Sequence, residues 1–324
     1  MMRSRRGVLG LAAGAAALST VGRAGAQAYP SRPVRWLVGF APGGGNDLIA
    51  RLMGQFLSER LGQQFVVENK PGAGTNLATE AVVTAAPDGY TLLQAGLPNA
   101  SNAALFRKLS FDFIRDIAPI VGILRVANVM VVHPSVPART LAEFVAYAKT
   151  APGRISCGSA GVGSATHLSV ALFNFLAGVD LLHVPYRGTG PALAALLAGE
   201  VQVQFPPVAA ALDHIRSGAV RALAVTSAAR SRALPDVPPV GETVPGYEMT
   251  VWYGMGAPRG TPTAVIDTLN RAVNAGLADP RLKTRFEELD GAEIGGTPDD
   301  FARLIAEETE KWTKVVRAAG ITLD

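Results

Sequence analysis

The sequence predicts an α/β protein with mostly parallel sheets, arranged as two lobes of like architecture. Three observations carry that prediction. Short apolar runs alternate with amphipathic helical stretches along the chain, the pattern of βαβ layers. A strand, a glycine loop and a helix follow one another at Val34–Leu61, and the same succession returns at Ile155–Leu176. Each of these units is followed by a similar βαβ run, and nothing repeats at a short fixed period.

The first unit opens with the apolar run Val34 to Phe40, passes through Ala41, Pro42 and Gly43 to Gly45, and continues as a helix. Leu48, Ile49, Leu52, Met53, Phe56, Leu57 and Leu61 fall on one face of that helix at the 3.6-residue period. Asn46 or Asp47 is suited to cap its start, and Gly62 to stop it. In the second unit the loop Gly158-Ser159-Ala160-Gly161-Val162-Gly163 leads into a helix that Ser164 or Thr166 can cap. The first turn of any helix leaves backbone N–H groups without helical partners, and the helix dipole puts partial positive charge at the same end. Such an end is a ready anion site. Two of them facing each other across a cleft would form a receptor for a small anion.

Between and beyond these units the remaining elements follow in order. Residues 63–69 form a strand, a third glycine turn spans 70–76, and Leu77–Ala85 is an Ala-rich helix. Tyr90–Gln94 is a strand. Ala95–Asn102 reads as a loop whose polar tip, Asn99, Ser101 and Asn102, can face a cleft. Phe111–Pro119 reads as irregular and Val126–His133 as one strongly apolar strand. Leu141–Ala148, Ala192–Ala198 and Ala209–Ser217 are helices, with strands at Asp180–Val184, Val201–Phe205 and Val220–Thr226. A proline-rich stretch, Leu234–Pro245, precedes the strand Val251–Ala257 and three closing helices over Thr263–Ala278, Pro280–Leu289 and Pro298–Gly320. The apolar strands Val126–Val132 and Val251–Gly256 are the expected crossovers. They divide the chain into lobe one, 27–127 with 251–324, and lobe two, 128–250.

Residues 1–26 read as an export signal. Arg3, Arg5 and Arg6 precede an Ala/Gly-rich run from Gly7 to Val21, and Ala24-Gly25-Ala26 supplies a cleavage pattern. An ordinary secretory signal and a twin-arginine signal both fit. The segment holds four arginines and no acids, so its removal leaves 26 basic against 26 acidic residues. A neutral remainder gives no basic patch for nucleic acid or an anionic membrane. The single cysteine, Cys157, allows no intrachain disulfide and reads as a small buried residue without a basic neighbour to activate it.

The glycine loops are poor nucleotide sites. Gly158 to Ser164 has the P-loop glycine spacing, but a serine stands where the essential lysine belongs; Thr166 replaces the last glycine of a dinucleotide fingerprint. No G-x-S-x-G surrounds Ser156, Ser159 or Ser164, and His133, His167, His183 and His214 lack metal-like spacing. An enzyme, a cofactor and a metal are therefore not expected.

Seven motifs in order carry a resemblance: YPSRPVRWLVGFAPGGGND, VENKPGAG, PDGYTLL, CGSAGVGSATHL, VPYRGTGPAL, VRALAVTS and WYGMGAPRGTP. From Tyr29 onward the chain resembles the Bug family, the periplasmic receptors of tripartite tricarboxylate transporters. The resemblance implies a two-lobed periplasmic binding protein fold, type II-like, that closes like a Venus flytrap. It implies small carboxylate ligands, a soluble periplasmic location, membrane subunits of a transporter as partners, and a monomer. An alternative role is a ligand-presenting component for a sensor kinase. The loops matching Phe40–Asp47 and Ser159–His167 hold a carboxylate in the family. The expected site here is thus Phe40, Ala41, Pro42, Gly43, Gly44 and Asp47 with Ser159, Gly163, Ser164, Ala165, Thr166 and His167. Asp47 is expected to order its loop rather than touch an anion. Ser159, Ser164 and Thr166 offer hydroxyls, and capping is an equal role for the last two. His167 either reaches the ligand or packs in the first helical turn, and Tyr186 is a candidate wall of the cleft. Family members often carry carboxylates where this chain has Gln202 and Pro206, so an acid without an amine is expected over glutamate or aspartate.

Overall fold

The computed structural model describes residues 29–318 and residue 320. The export segment read at 1–26 lies outside them. Among the described residues no helix is long and apolar enough to cross a membrane.

Two sheets organise the fold, which has the two-lobed α/β architecture the sequence predicts, but the sheets are mixed rather than mostly parallel. Four strand pairings are parallel and five antiparallel among the described residues, because the strands on either side of each crossing run against their neighbours. In chain order the first elements are β1 (Val34–Val38), α1 (Gly45–Leu61), β2 (Phe65–Asn69), α2 (Asn76–Val83), β3 (Thr91–Gly96), α3 (Leu97–Leu105), α4 (Phe113–Asp116) and β4 (Ile117–Ala127). Next come β5 (Val129–Val132), α5 (Leu141–Thr150), β6 (Ile155–Ser159), α6 (Ala165–Ala177), β7 (Leu181–Pro185), α7 (Thr189–Leu197), β8 (Val203–Gln204), α8 (Val208–Arg216) and β9 (Arg221–Val225). The chain closes with β10 (Thr250–Pro258), α9 (Thr263–Leu277), α10 (Pro280–Glu288), β11 (Gly291–Gly295) and α11 (Pro298–Ala318). The six-stranded sheet runs β11-β4-β10-β3-β1-β2, and the five-stranded sheet runs β7-β6-β8-β5-β9.

The two glycine-loop units occupy matching places. β1 lies parallel between β2 and β3, and β6 lies parallel between β7 and β8. In each case the strand's carboxyl end opens into a loop and the loop into a helix, the arrangement that places ligands at strand ends in open α/β sheets. The chain passes between the sheets at Asn128, where β4 ends and β5 begins, and returns between β9 and β10. Thr250 pairs with Ala127, and Val129 pairs with Val225, so both passages lie at one end of each sheet. Strand register puts the carboxyl ends of β1 and β6 at that same end. The two passages are pinned together there. The Asn128 N–H donates to Thr226 Oγ1 at 2.8 Å, while Thr226 N–H and its hydroxyl both donate to the Asn128 carbonyl.

Helices α1, α9 and α10 cover one face of the larger sheet over Trp36, Met53, Leu269 and Phe286. The other face joins a core that continues into the smaller sheet through Phe144, Phe173 and Phe205, with Trp312 of α11 inside it. Trp252 and Trp312 are both fully buried. Burying a side chain of this size contributes about 1.5–3 kcal/mol. A third core lies under α7 and α8.

Several elements differ from the sequence reading. Ala95–Asn102 is not a cleft loop: it ends β3 and enters α3, with Asn99, Ser101 and Asn102 buried. Asn99 accepts from Gly96 N and donates to Thr75 and Thr79, and Asn102 donates to the Gly74 carbonyl and Asn76. Val126–His133 is two strands in two sheets rather than one. The stretch read as irregular near Pro119 is part of the 11-residue strand β4, whose own bulge at Ile120, opposite Met255 and Gly256, accommodates a residue without N–H.

Candidate functional site

The first loop, Gly39–Gly44, is ordered from below by a carboxylate. Asp47, only 4 % exposed, accepts from Gly43 N at 2.9 Å, from the Arg51 guanidinium and from the Asn69 amide. Asn69 also donates to the Phe40 carbonyl, so both shoulders of the loop are tied to one cluster. Burial pushes the Asp47 carboxyl up, but Arg51, the Gly43 amide and Asn69 together outweigh it and hold its pKa down to about 2. Asp47 therefore orders the loop. It does not cap the helix, and neither does Asn46: the N-cap is Gly44. The amides of Gly45, Asn46 and Asp47 have no partner among the described residues. Gly43 holds φ +89° with open space around it, a conformation in which glycine is the default residue. Phe40 is half-buried against the core under α1, whereas Ala41, Pro42, Gly43 and Gly44 are exposed.

The second loop is denser. Ser164 is the N-cap of α6 and accepts from His167 N. Thr166 Oγ1 accepts from Ala160 N at 2.7 Å, and Gly161 N donates to Ser159 Oγ. The Gly163 N–H donates to His167 Nδ1 at 3.1 Å, so this ring is the neutral Nε2–H tautomer. Its pKa is held down to about 4 by burial first and by His183 second. His183, which sequence reasoning set aside, joins the loop: its Nε2 lies 2.5 Å from Ser159 Oγ, and burial lowers its pKa too. The pairing of Cys157 with His183 across parallel strands brings it there, a contact that no spacing along the chain reveals. Cys157 is fully buried, and burial pushes its thiol up, away from reactivity.

Internal bonding decides which amides remain open. Those of Ala160, Gly161 and Gly163 are used within the loop, as is Gly43 in the first; Val162, Ala165 and Thr166 have none. The glycine amides expected to face an anion are thus partly spent on shaping the loops, and the helix first turns supply the open donors. Tyr186 is half-buried; its N–H donates to the Ser159 carbonyl, and its ring edge lies over Gly158.

Gln202 does not belong with these residues. Its side chain accepts from Ser156 N and reaches the Gly199 carbonyl, at the end of β6 remote from the loop. Pro206 does lie at the loop end, where its carbonyl accepts from Val129 N. Among the described residues no cluster of His, Cys, Asp and Glu could hold a metal ion.

Comparison with known proteins agrees with this architecture. Residues 49–321 match the model of the tripartite tricarboxylate transporter family receptor. The Bordetella pertussis protein BugT is 35% identical over 301 residues, covering 92% of each chain. Among solved structures, Rpa4515 of R. palustris with adipate superposes at a TM-score of 0.82 with 36% identity, over 91% of this chain and all of that one. MatC of Rhodopseudomonas palustris, with bound malate, superposes at 0.77 with 34% identity, over 89% of this chain and all of that one. Two open loop–helix ends at matching strand ends, on a fold shared with these receptors, identify the chain as a member of the tripartite tricarboxylate transporter receptor family, the periplasmic solute-binding proteins to which the Bug proteins belong.

Proposed function

We propose that this chain is exported, binds a small organic acid between its two glycine loops, and delivers it to the membrane subunits of a tripartite tricarboxylate-type transporter. The observation that carries the reading is the pair of helix first turns with open amides, Gly45 to Asp47 and Ala165 to Thr166, at the sheet ends where the chain crosses between lobes. The resemblance of the whole chain to receptors solved with adipate and with malate supports a carboxylate.

The energetics suffice without a cationic side chain. A hydrogen bond to a charged group contributes about 1.5–3 kcal/mol, and a helix end adds about 0.3–1 kcal/mol. Four such bonds supply a gross term large enough for micromolar affinity, about −8 kcal/mol, after association costs. Phe40, Ala41, Pro42, Gly43, Gly44, Ser159, Gly163, Ser164, Ala165, Thr166 and His167 line this site in the proposal. Asp47 sets its first loop and Tyr186 one wall. Closure of the lobes about the two crossing strands would exclude water and strengthen each of these bonds.

Native mass spectrometry of the freshly purified protein tests the reading, followed by calorimetry with adipate, malate and citrate. A retained small acid, returned unchanged, and micromolar binding of at least one of these is the expected result. No binding across a panel of di- and tricarboxylates would sink it.

A further inference from the structure

We propose that the hydroxyl of Tyr253 is a ligand-binding group of the first loop, donating a hydrogen bond to the bound acid. The proposal rests on the acid-receptor reading above and adds to it a residue from a distant part of the chain. Tyr253 lies on β10, the strand that re-enters the larger sheet after the second crossing, and pairs with Gly96 and Leu124 at the loop end. Its side chain stands on the sheet face covered by α1, within that core.

Three observations point to a ligand. The residue is 7 % exposed, yet its hydroxyl bonds to no described residue. The oxygen reaches the first residue of α1: a Cβ built at Gly45 would lie 2.8 Å from it. The open amides of Gly45 and Asn46 are therefore its immediate surroundings. On the same face of the neighbouring strand, Gln94 is also buried and neither of its amide atoms has a partner. Buried polar groups are ordinarily satisfied, so the unpartnered Gln94 amide, with the unbonded Tyr253 hydroxyl beside open helix amides, marks a place where something else completes the bonding. Burial raises the Tyr253 pKa above the ordinary phenol value, which keeps the proton on the oxygen. A neutral phenol and backbone amides are all donors toward a carboxylate, which only accepts. The same geometry explains Gly45, since a methyl group there would press on the hydroxyl.

The test is Tyr253→Phe in the full exported chain, with calorimetry against adipate and malate and thermal unfolding of the ligand-free protein. The expected result is an affinity loss of about tenfold or more, equivalent to about 1.4 kcal/mol, for whichever acid the wild type binds. The ligand-free melting temperature should stay within about 1 °C of wild type, since each degree is a sizeable free-energy change for a chain of this size. Gly45→Ala supplies a ligand-independent check on the geometry. It should lower the melting temperature in the wild-type background and be tolerated beside Tyr253→Phe, where the nearest ring carbon would lie 3.5 Å away. Wild-type binding with unchanged affinity in Tyr253→Phe overturns the proposal alone, as does an affinity loss accompanied by a large melting shift. Wild-type protein that binds none of the acids overturns the receptor reading and this proposal together.

Discussion

The imidazole rings of His167 and His183 lie stacked, with centroids 3.8 Å apart and planes 13° from parallel. One ring comes from the first turn of α6 and the other from β7. Each serves a different part of the second loop, His167 through Gly163 N and His183 through Ser159 Oγ. A proton on His167 Nδ1 would set two donors against each other at Gly163 and place a cation against its neighbour's ring.

Folding stability should therefore decline on acidification. The folded pKa of His167, about 4, lies below the ordinary imidazole value of 6.5. Above that value neither state binds the proton. As pH falls through 6.5 the unfolded chain takes up a proton that the folded chain refuses, and the loss continues to about pH 4. It amounts to about 3 kcal/mol at most. Denaturant midpoints measured across this range should fall, and His167→Asn, which keeps an acceptor for Gly163, should flatten the fall. An unchanged slope in that variant would refute the assignment.

Asp47→Ala should cost about 1–3 kcal/mol, since it strips partners from Gly43 N, Arg51 and Asn69 together. The wild-type contribution fades on acidification as that of His167 does, but in a lower pH window. The folded pKa of about 2 lies below the ordinary carboxylate value, so the stabilisation is complete above about pH 4 and fades only toward pH 2. Urea unfolding at neutral pH checks the cost, and calorimetry should show weaker acid binding from the loosened first loop.

Gly163→Val should abolish acid binding while leaving unfolding cooperative. Gly163 sits at φ +75°, and a β-branched residue there costs about 1–2 kcal/mol in backbone strain. The expected melting shift is a few degrees. Retained affinity would remove the second loop from the site.

Adipate or malate should bind more tightly than aspartate or glutamate. Pro206 stands at the loop end of β8 and offers no carboxylate, so a ligand ammonium would find no counter-charge from it. Competition calorimetry decides this, and tight binding of either amino acid would contradict it.

Both strand–glycine loop–helix units were legible because apolar periodicity and glycine punctuation are local properties. The elements that escaped depend on distant partners. LPNASNAAL looks like a loop by composition, yet Asn99 and Asn102 are satisfied by Thr75, Thr79 and Gly74 in the core, and tertiary bonding overrides weak propensity. Strand Gly291–Gly295 hides in a glycine-rich stretch and exists by pairing with β4 at the sheet edge. The continuous apolar run Val126–His133 conceals the turn at Asn128, whose character is set by Thr226 almost a hundred residues away. In the candidate site the loops could be read in advance, but the amides left open could not. Whether Gly43 or Gly163 keeps a free N–H depends on where Asp47 and His167 point.

The reciprocal link between Asn128 and Thr226 has a mechanical consequence. Both connections between the halves run through one buried, mutually bonded point, so it acts as the spine along which any relative rotation must turn. Distant corners of the two sheets then travel farthest for a given angle, and probes attached there would sense occupancy of the gap without touching it. Trimming the Thr226 hydroxyl would alter the stiffness of that rotation while leaving every loop amide in place.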